Sequence, residues 1–161
     1  MSAQLRPLIG LMLVWVLVAC GQTTSAPASQ ADAVSVQDGW VRETPPGAKV
    51  SAAYMTLVNA TAQPAHLRSV SVAQAERAEI HTMFMQDGMM RMRQLENGLE
   101  VPARSQAELK AGGDHLMLMG LTSALTSDMQ ISVELTFGDG SSQTVQLPVR
   151  SATAASDHAH H

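Results

Sequence analysis

Apolar and polar side chains alternate along eight short runs of the chain, which is the period of two that β-strands show. The runs are VSVQDGWVRE, SAAYMTLVN, AHLRSVSVA, AEIHTMFMQ, MMRMRQL, DHLMLMGL, MQISVELTF and SSQTVQLPV. The segments between them, such as TPPGA, NATAQP and AGGD, are rich in residues that favour turns. Because no run has the period of a long amphipathic helix, the pattern predicts an all-β protein, an antiparallel β-sandwich or barrel.

The first nineteen residues predict a lipoprotein signal peptide, residues 1–19. Arg6 precedes an apolar run from Leu8 to Ala19, which is shorter than the roughly 20 residues of a membrane span and is typical of an export signal. The sequence Leu17-Val18-Ala19-Cys20 resembles a bacterial lipobox, so we expect Cys20 to be lipidated and to become the mature N-terminus. An ordinary signal peptide with an incidental cysteine is the alternative.

The remaining chain divides into three parts. Residues 20–33 are small and polar, and predict a flexible linker from the lipidated Cys20. Residues 34–150 form the predicted domain, and residues 151–161 a flexible tail that contains histidines. Gly21 follows Cys20 where inner-membrane lipoproteins commonly have aspartate, so we expect a periplasmic lipoprotein in the outer membrane, attached to the membrane through its acyl chains alone.

The amino-acid composition excludes several classes of chemistry. Cys20 is the only cysteine, so a lipidated protein would have no thiol for disulfide exchange, nucleophilic catalysis or a thiolate zinc site. The formal net charge is −4 and becomes more negative once Arg6 is removed, so no nucleic-acid partner is expected. The carboxylates show no spacing of an acid–base pair, and no enzyme activity is predicted.

Methionine is frequent, with eleven residues in the chain, and five of them lie in the segment HTMFMQDGMMRM. Alternation along a strand places His81, Met83 and Met85 on one face. A two-residue turn at Asp87–Gly88 would pair Met83 with Met92, and directly paired residues share a face. The pattern therefore predicts that Met92 joins His81 on the same side of a hairpin.

A second segment, HLMLM, repeats the theme, with His115, Met117 and Met119 on one face and Leu116 and Leu118 on the other. Methionine also fills irregular cores, so simple packing remains an alternative. Two such segments in an exported domain without thiols favour a soft-metal site. Thioethers favour copper as Cu(I), whereas zinc and calcium prefer other ligands.

These residues carry a resemblance to the PCu(A)C family of periplasmic copper chaperones. The family signature is His, ten residues, Met, about twenty-one residues and then His-x-Met. Here ten residues separate His81 from Met92, and His115-Leu116-Met117 supplies the rest. Twenty-two residues separate Met92 from His115, and we place the additional residue in the loop region NGLEVPARSQAELKAGGD. The blocks GWVRETPPGAKVSAAYMTLVN and GGDHLMLMGL also resemble family sequences.

The resemblance implies a cupredoxin-like Greek-key β-sandwich that binds Cu(I) through His81, Met92, His115 and Met117. It also implies delivery of copper to another protein: the copper subunit of cytochrome c oxidase, at its binuclear copper site, or another copper chaperone. Met83 and Met85 would be spare ligands during transfer. A copper-buffering or resistance lipoprotein without a dedicated acceptor is the alternative. A copper enzyme is disfavoured, because four protein ligands leave no open position for a substrate.

The C-terminal tail is a separate candidate, because His158, His160 and His161 lie within four residues. Imidazole suits Cu(II) better than thioether does, and a mobile tail needs no fold to bind it. We therefore expect an auxiliary Cu(II) site in the tail. The alternative is a solvated tail without a role in copper binding.

Overall fold

The computed structural model describes residues 28–151. The described residues do not include the predicted signal peptide, the predicted lipidation site Cys20, most of the predicted linker or the tail histidines His158, His160 and His161. Among residues 28–151, no helix is long and apolar enough to cross a membrane.

The described chain is built almost entirely from strands. It contains one short helix, α1 (Gln30–Ala33), and ten strands: β1 (Val34–Arg42), β2 (Val50–Asn59), β3 (Ala65–Val72), β4 (Ala75–Gln86), β5 (Met89–Gln94), β6 (Leu99–Val101), β7 (Ser105–Leu109), β8 (His115–Leu121), β9 (Gln130–Phe137) and β10 (Ser142–Arg150). The eight runs of alternating residues all became strands, so the all-β prediction is confirmed. The two shortest strands, β6 and β7, were not predicted and lie in the segment expected to be a loop.

The strands form two layers. One layer has the order β5-β4-β8-β2-β1, and the other has the order β10-β9-β3-β6. A short parallel pairing between β1 and β10, at Val41–Val149 and Arg42–Arg150, joins the layers, whereas neighbours within each layer are antiparallel. This is the arrangement of a β-sandwich.

The core lies between the layers and is formed by the apolar half of each alternating run. Leu116 and Leu118 of β8 and Ile131, Val133 and Leu135 of β9 are fully buried. Burying one such side chain contributes about 1.5–3 kcal/mol relative to leaving it in water. The core thus fixes which face of β8 points inward, and His115 and Met117 occupy the other face.

Strand β7 explains where β8 begins. β7 and β8 both pair with the same edge of β2, β7 with Met55–Asn59 and β8 with Val50–Ala53. The loop between them turns back on itself, with Lys110 N–H donating to the Asp114 carbonyl over 2.6 Å and Gly112 at φ +79°. His115 is consequently the first residue of β8.

The helix α1 differs from the prediction that residues 20–33 form a flexible linker. Ser29 caps the helix, and the Gln30 backbone N–H donates to the Asp139 carboxylate over 2.8 Å. The Gln30 side-chain oxygen accepts from the His66 backbone N–H over 2.9 Å. These contacts, with the β9–β10 loop and with strand β3 of the second layer, hold residues 30–33 against the domain.

Candidate metal centre

The hairpin of β4 and β5 has the register that the sequence predicts. Met83 pairs with Met92, Met85 with Met90 and Gln86 with Met89. Asp87 and Gly88 both have positive φ, +52° and +76°, which a type I′ turn requires at its two central residues. The Asp-Gly turn therefore sets the register and places the two methionine pairs on the face that carries His81.

Beyond His81 this hairpin is not paired with the rest of its sheet among the described residues. The pairing of β4 with β8 ends at His81, which lies directly opposite His115, whereas β4 continues to Gln86 with β5 as its only neighbour beyond that point among the described residues. We call residues 82–93, which lie beyond this last pair, the arm. The His81–His115 pair thus lies where the arm leaves the sheet.

The two histidine rings face each other across the β4–β8 boundary. Their centroids are 6.1 Å apart, with an angle of 50° between the ring planes. His115 is buried, with 9% of its surface exposed, and the His81 side chain is 12% exposed. Because both rings are shielded from water, their nitrogens depend on protein groups or on a bound ligand for partners.

In His115, one nitrogen is held by the backbone. Nδ1 lies 3.0 Å from the Gly113 carbonyl oxygen. A carbonyl oxygen can only accept, so Nδ1 carries the proton in this contact, and in the neutral ring the lone pair is on Nε2. A metal-binding histidine usually has this arrangement, in which its other nitrogen donates to a carbonyl or carboxylate.

In His81, the arrangement is the reverse. Nε2 lies 2.9 Å from the Glu79 carboxylate, so Nε2 donates and the lone pair of the neutral ring is on Nδ1. Nδ1 is buried and has no hydrogen-bond partner among the described residues. Buried polar atoms are nearly always paired, so this orphaned nitrogen needs an explanation, and an unfilled ligand position supplies one.

Glu79 was not identified from the sequence. It lies two residues before His81 and therefore on the same face of β4, opposite Met117 on β8. Arg77 lies on that face too, with its guanidinium 3.7 Å from the Glu79 carboxylate. The sequence signal was the Glu-x-His spacing on a strand, which brings a carboxylate within reach of the ring.

Two of the predicted thioether ligands line the same cavity as His115. The cavity has a volume of about 300 Å³. Its lining residues are Arg42, Glu43, Thr44, Pro45, Val50, Ser51, Ala52, Met92, His115 and Met117. Met92 is 45% exposed, and Met117 is half-buried and pairs with Ala52 of β2. His81 does not line this cavity, but it lies next to it in the sheet, directly opposite His115 on the neighbouring strand.

The other methionines of the arm lie further from the sheet. Met83 is half-buried beside Met92, whereas Met85, Met89 and Met90 are 61%, 53% and 51% exposed. Met89 lies on the opposite face, as the alternation predicts. That face is cationic and aromatic and does not carry a row of thioethers: the Arg93 guanidinium lies 5.2 Å from the centre of the Phe84 ring.

The donor set of this region is soft and neutral. Within residues 28–151, no group of three or more histidine, cysteine, aspartate or glutamate side chains is arranged to hold a metal ion. The arrangement that does exist brings together two imidazoles, each with one uncommitted nitrogen, and two thioethers. Imidazole and thioether together suit copper, and thioether in particular suits Cu(I).

Comparison with known proteins gives a consistent result. Residues 34–149 match the family described as "Putative lipoprotein LpqE-like". The chain is 33% identical over 135 residues to "Putative lipoprotein Lxx21020" of Leifsonia xyli subsp. xyli, an alignment that covers 84% of this chain and 80% of that protein.

Solved structures share the fold. The copper-bound PCuAC domain from PmoF2 superposes with a TM-score of 0.62 at 19% identity, covering 74% of this chain and 93% of that one. The solution structure of apo-DR1885 from Deinococcus radiodurans superposes with a TM-score of 0.59 at 29% identity, covering 93% and 97%. The Cu(I) form of DR1885 is 30% identical, with a TM-score of 0.55, covering 77% and 84%.

These matches confirm the predicted cupredoxin-like Greek-key β-sandwich. They also agree with the resemblance that the spaced histidines and methionines indicated. The chain therefore belongs to the LpqE-like lipoprotein family, and its domain is a PCu(A)C domain.

Proposed function

We propose that this protein is a periplasmic copper chaperone that binds Cu(I) through His81, Met92, His115 and Met117 and delivers it to a cuproenzyme. The observation that carries the proposal is the His81–His115 pair, whose rings are 6.1 Å apart. His115 lines the cavity together with Met92 and Met117, and the buried Nδ1 of His81 has no hydrogen-bond partner among the described residues. The acceptor is the binuclear copper site of cytochrome c oxidase. Copper is the cargo of this protein, and no reaction is catalysed on it.

The four groups bind Cu(I) with little disturbance of the protein. Thioethers are neutral and lose no proton on binding, and in the neutral form each imidazole keeps its proton on the nitrogen that contacts Glu79 or Gly113, so the other nitrogen is available to the metal. Glu79 and the Gly113 carbonyl hold those protons at 2.9 and 3.0 Å. The rings are therefore preorganised in the tautomers that binding needs.

Release follows from the unequal exposure of the ligands. Met92 lies at the base of the arm and is 45% exposed, whereas His115 is 9% exposed. An acceptor reaches the exposed thioether first and replaces it with a ligand of its own. The ion stays Cu(I), and one dative bond forms as another breaks, so the buried histidines are the last to release it.

The test of the ligand set is substitution of each thioether by leucine, in Met92→Leu and Met117→Leu. Leucine has nearly the volume of methionine, so the fold is kept with a stability change below about 1.5 kcal/mol. Each variant should bind Cu(I) about tenfold more weakly in competition with a Cu(I) chelator, which corresponds to about 1.4 kcal/mol. Met89→Leu is the matched control, because Met89 lies on the other face of the same hairpin. Wild-type affinity in both variants would refute the ligand assignment.

The acceptor is tested by comparing two copper transfers. Transfer to the apo form of the oxidase copper domain should be faster than transfer to a chelator of equal affinity, because a docked acceptor exchanges ligands one at a time. Equal rates would favour the alternative, a copper-buffering lipoprotein without a dedicated acceptor. A deletion strain should lose oxidase activity and regain it when copper is added.

The membrane attachment is part of the same proposal, and the family description and the relative's name, both of which contain "lipoprotein", support it. Residues 1–19 act as the signal peptide, and lipidated Cys20 anchors the chain in the outer membrane. Cys20→Ser should release the protein into the soluble periplasmic fraction with its Cu(I) affinity unchanged. A Cys20→Ser protein that stays membrane-bound would contradict the anchor.

The tail is proposed to capture Cu(II) through His158, His160 and His161. Truncation after Ala155 should reduce the number of Cu(II) ions bound and leave the affinity for Cu(I) as it is. Unchanged Cu(II) binding would show that the tail has no part in it.

A further inference from the structure

The methionines at the tip of the arm are not explained by packing. Met85 and Met90 are 61% and 51% exposed. Within residues 28–151, the two strands of the arm pair only with each other. Exposed apolar side chains are ordinary when scattered singly, but a cluster of them on one face marks a binding function. These two thioethers are therefore exposed to water and do not contribute to the hydrophobic core.

The register brings these thioethers into pairs. In a two-residue hairpin the residues that flank the turn, Gln86 and Met89, are hydrogen-bonded, and the pairs then alternate along the ladder. Met85–Met90 and Met83–Met92 are consequently the non-hydrogen-bonded pairs. In such pairs the Cα atoms are only about 4.5 Å apart and the side chains are closest.

The two pairs form a square of four thioethers on one face. Residues two apart along a strand are separated by about 6.6 Å, twice the rise of a β-strand. The distal pair, Met85 and Met90, thus adjoins the proximal pair, Met83 and Met92, and Met92 lines the cavity that holds His115 and Met117. Soft donors form a continuous path from the turn to the main site.

We propose that Met85, Met90 and Met83 form a second Cu(I) site at the tip of the arm, weaker than the main site and feeding into it. The inference rests on the proposed function, since it extends the same path of ligands. Three neutral thioethers bind Cu(I) without imidazole, and the exposure of Met85 and Met90 makes the site accessible and weak. The ion moves inward as Cu(I): a dative bond to Met92 forms as one to Met85 or Met90 breaks, and no proton or electron is transferred.

The opposite face of the arm supplies the contrast. There Phe84 pairs with Arg91, and Arg93 lies over the Phe84 ring. Cations repel a metal ion, so copper entering along the arm is confined to the thioether face. Met89 is as exposed as Met90 but lies on the arginine face, which makes it the natural control.

The experiment is a Cu(I) titration of the full chain in detergent under anaerobic conditions, with the methionine methyl groups labelled with carbon-13. The first equivalent should shift the methyl signals of Met92 and Met117, and a second equivalent those of Met85, Met90 and Met83. The double variant Met85→Leu/Met90→Leu should lose the second step and keep the first. Met89→Leu should keep both.

The outcomes separate this inference from the proposed function. A second equivalent that leaves the signals of Met85 and Met90 unmoved, or a second step that persists in the double variant, would overturn the tip site. If the first equivalent of Cu(I) does not shift the Met92 and Met117 signals of the wild-type protein, the proposed ligand set is wrong instead. The first step also reports folding, so a double variant that retains it has not lost the second step through misfolding.

Discussion

The arm and strand β8 both carry methionines, but in opposite surroundings. β8 lies between β4 and β2. Its Leu116 and Leu118 are fully buried in the core, and His115, its first residue, is also shielded from water. The arm is a two-stranded hairpin in which four of the five methionines, Met85, Met89, Met90 and Met92, are exposed to water. A metal carrier needs both environments, because a shielded ligand retains the ion and an exposed ligand can be replaced by one from the acceptor. The sandwich supplies these properties from two different elements.

The strongest predicted difference between β8 and the arm is in their contribution to the free energy of unfolding. Leu118→Ala should lower the free energy of unfolding by about 2–5 kcal/mol, because it removes a fully buried side chain and leaves a cavity. Met85→Ala should change it by about 0.5 kcal/mol or less, since Met85 is on the surface. Denaturant unfolding of the metal-free protein measures both. Similar losses in the two variants would mean that the arm packs against the domain.

The next effect concerns retention of copper. His115→Ala should weaken Cu(I) binding by about a hundredfold or more, because loss of a direct ligand exceeds the 10–100-fold typical of outer groups. The control is His66→Ala. His66 is a half-buried histidine of β3, in the layer that does not carry the metal centre, and its ring contacts the Asn97 carbonyl. Chelator competition gives both affinities. If the two variants bind Cu(I) equally, His115 is not a ligand.

A smaller effect is expected from Glu79, which acts through His81. Glu79→Ala removes the acceptor of the Nε2 proton, so the ring is free to adopt the other tautomer and Cu(I) affinity should fall about tenfold. Nitrogen-15 NMR of the His81 ring should show the second tautomer in the metal-free variant. Glu134→Ala is the control, because that carboxylate accepts from Ser71 in the second layer. A single unchanged tautomer in Glu79→Ala would contradict the positioning role.

The smallest effect tests a third region, the docked helix α1. The Gln30 backbone N–H and the Ser141 side chain and backbone N–H donate to Asp139 and hold the pKa of its carboxyl below its usual value. A lowered folded-state pKa contributes stability that is fully present above the unfolded pKa, about 3.9, and is lost as the pH falls through the folded value. Asp139→Asn should therefore be less stable than the wild type at neutral pH, and the difference should shrink in acid.

The control for this prediction is copper itself. Cu(I) affinity should be the same in Asp139→Asn and in the wild type, because these contacts of α1 are with the β9–β10 loop and strand β3 of the second layer, away from the metal centre. A pH-independent stability difference would show that the Asp139 charge does not contribute through these hydrogen bonds.

Most of the fold could be predicted because its information is local. A period of two, interrupted by Gly, Pro and Asp, gave the eight longer strands, and the Asp87–Gly88 turn gave the hairpin register to the residue. Strand β6 has three residues and β7 is largely polar, so neither carries enough apolar alternation to be recognised. The helix α1 depends on Asp139 and Ser141, which are more than a hundred residues away.

The candidate site was predictable only in part, for the same reason. Strand alternation placed each histidine with its own methionines, but the pairing of His81 with His115 joins two strands that are distant in sequence. The Glu79–His81 contact was within reach of the sequence, since the two residues share a strand face. The burial of His81 Nδ1 without a partner depends on the packing around it, and no local pattern contains that information.

Strand β5 has a further consequence, because it is the edge of its layer and all six of its residues are exposed. An open edge of this kind invites another chain to add a strand, and methionine-rich edges would favour aggregation. Arg91 and Arg93 alternate with the methionines, so two copies paired edge to edge would bring like charges into cross-strand contact, which is destabilising. The arginines therefore protect the exposed thioethers from self-association and keep the arm free for a different partner.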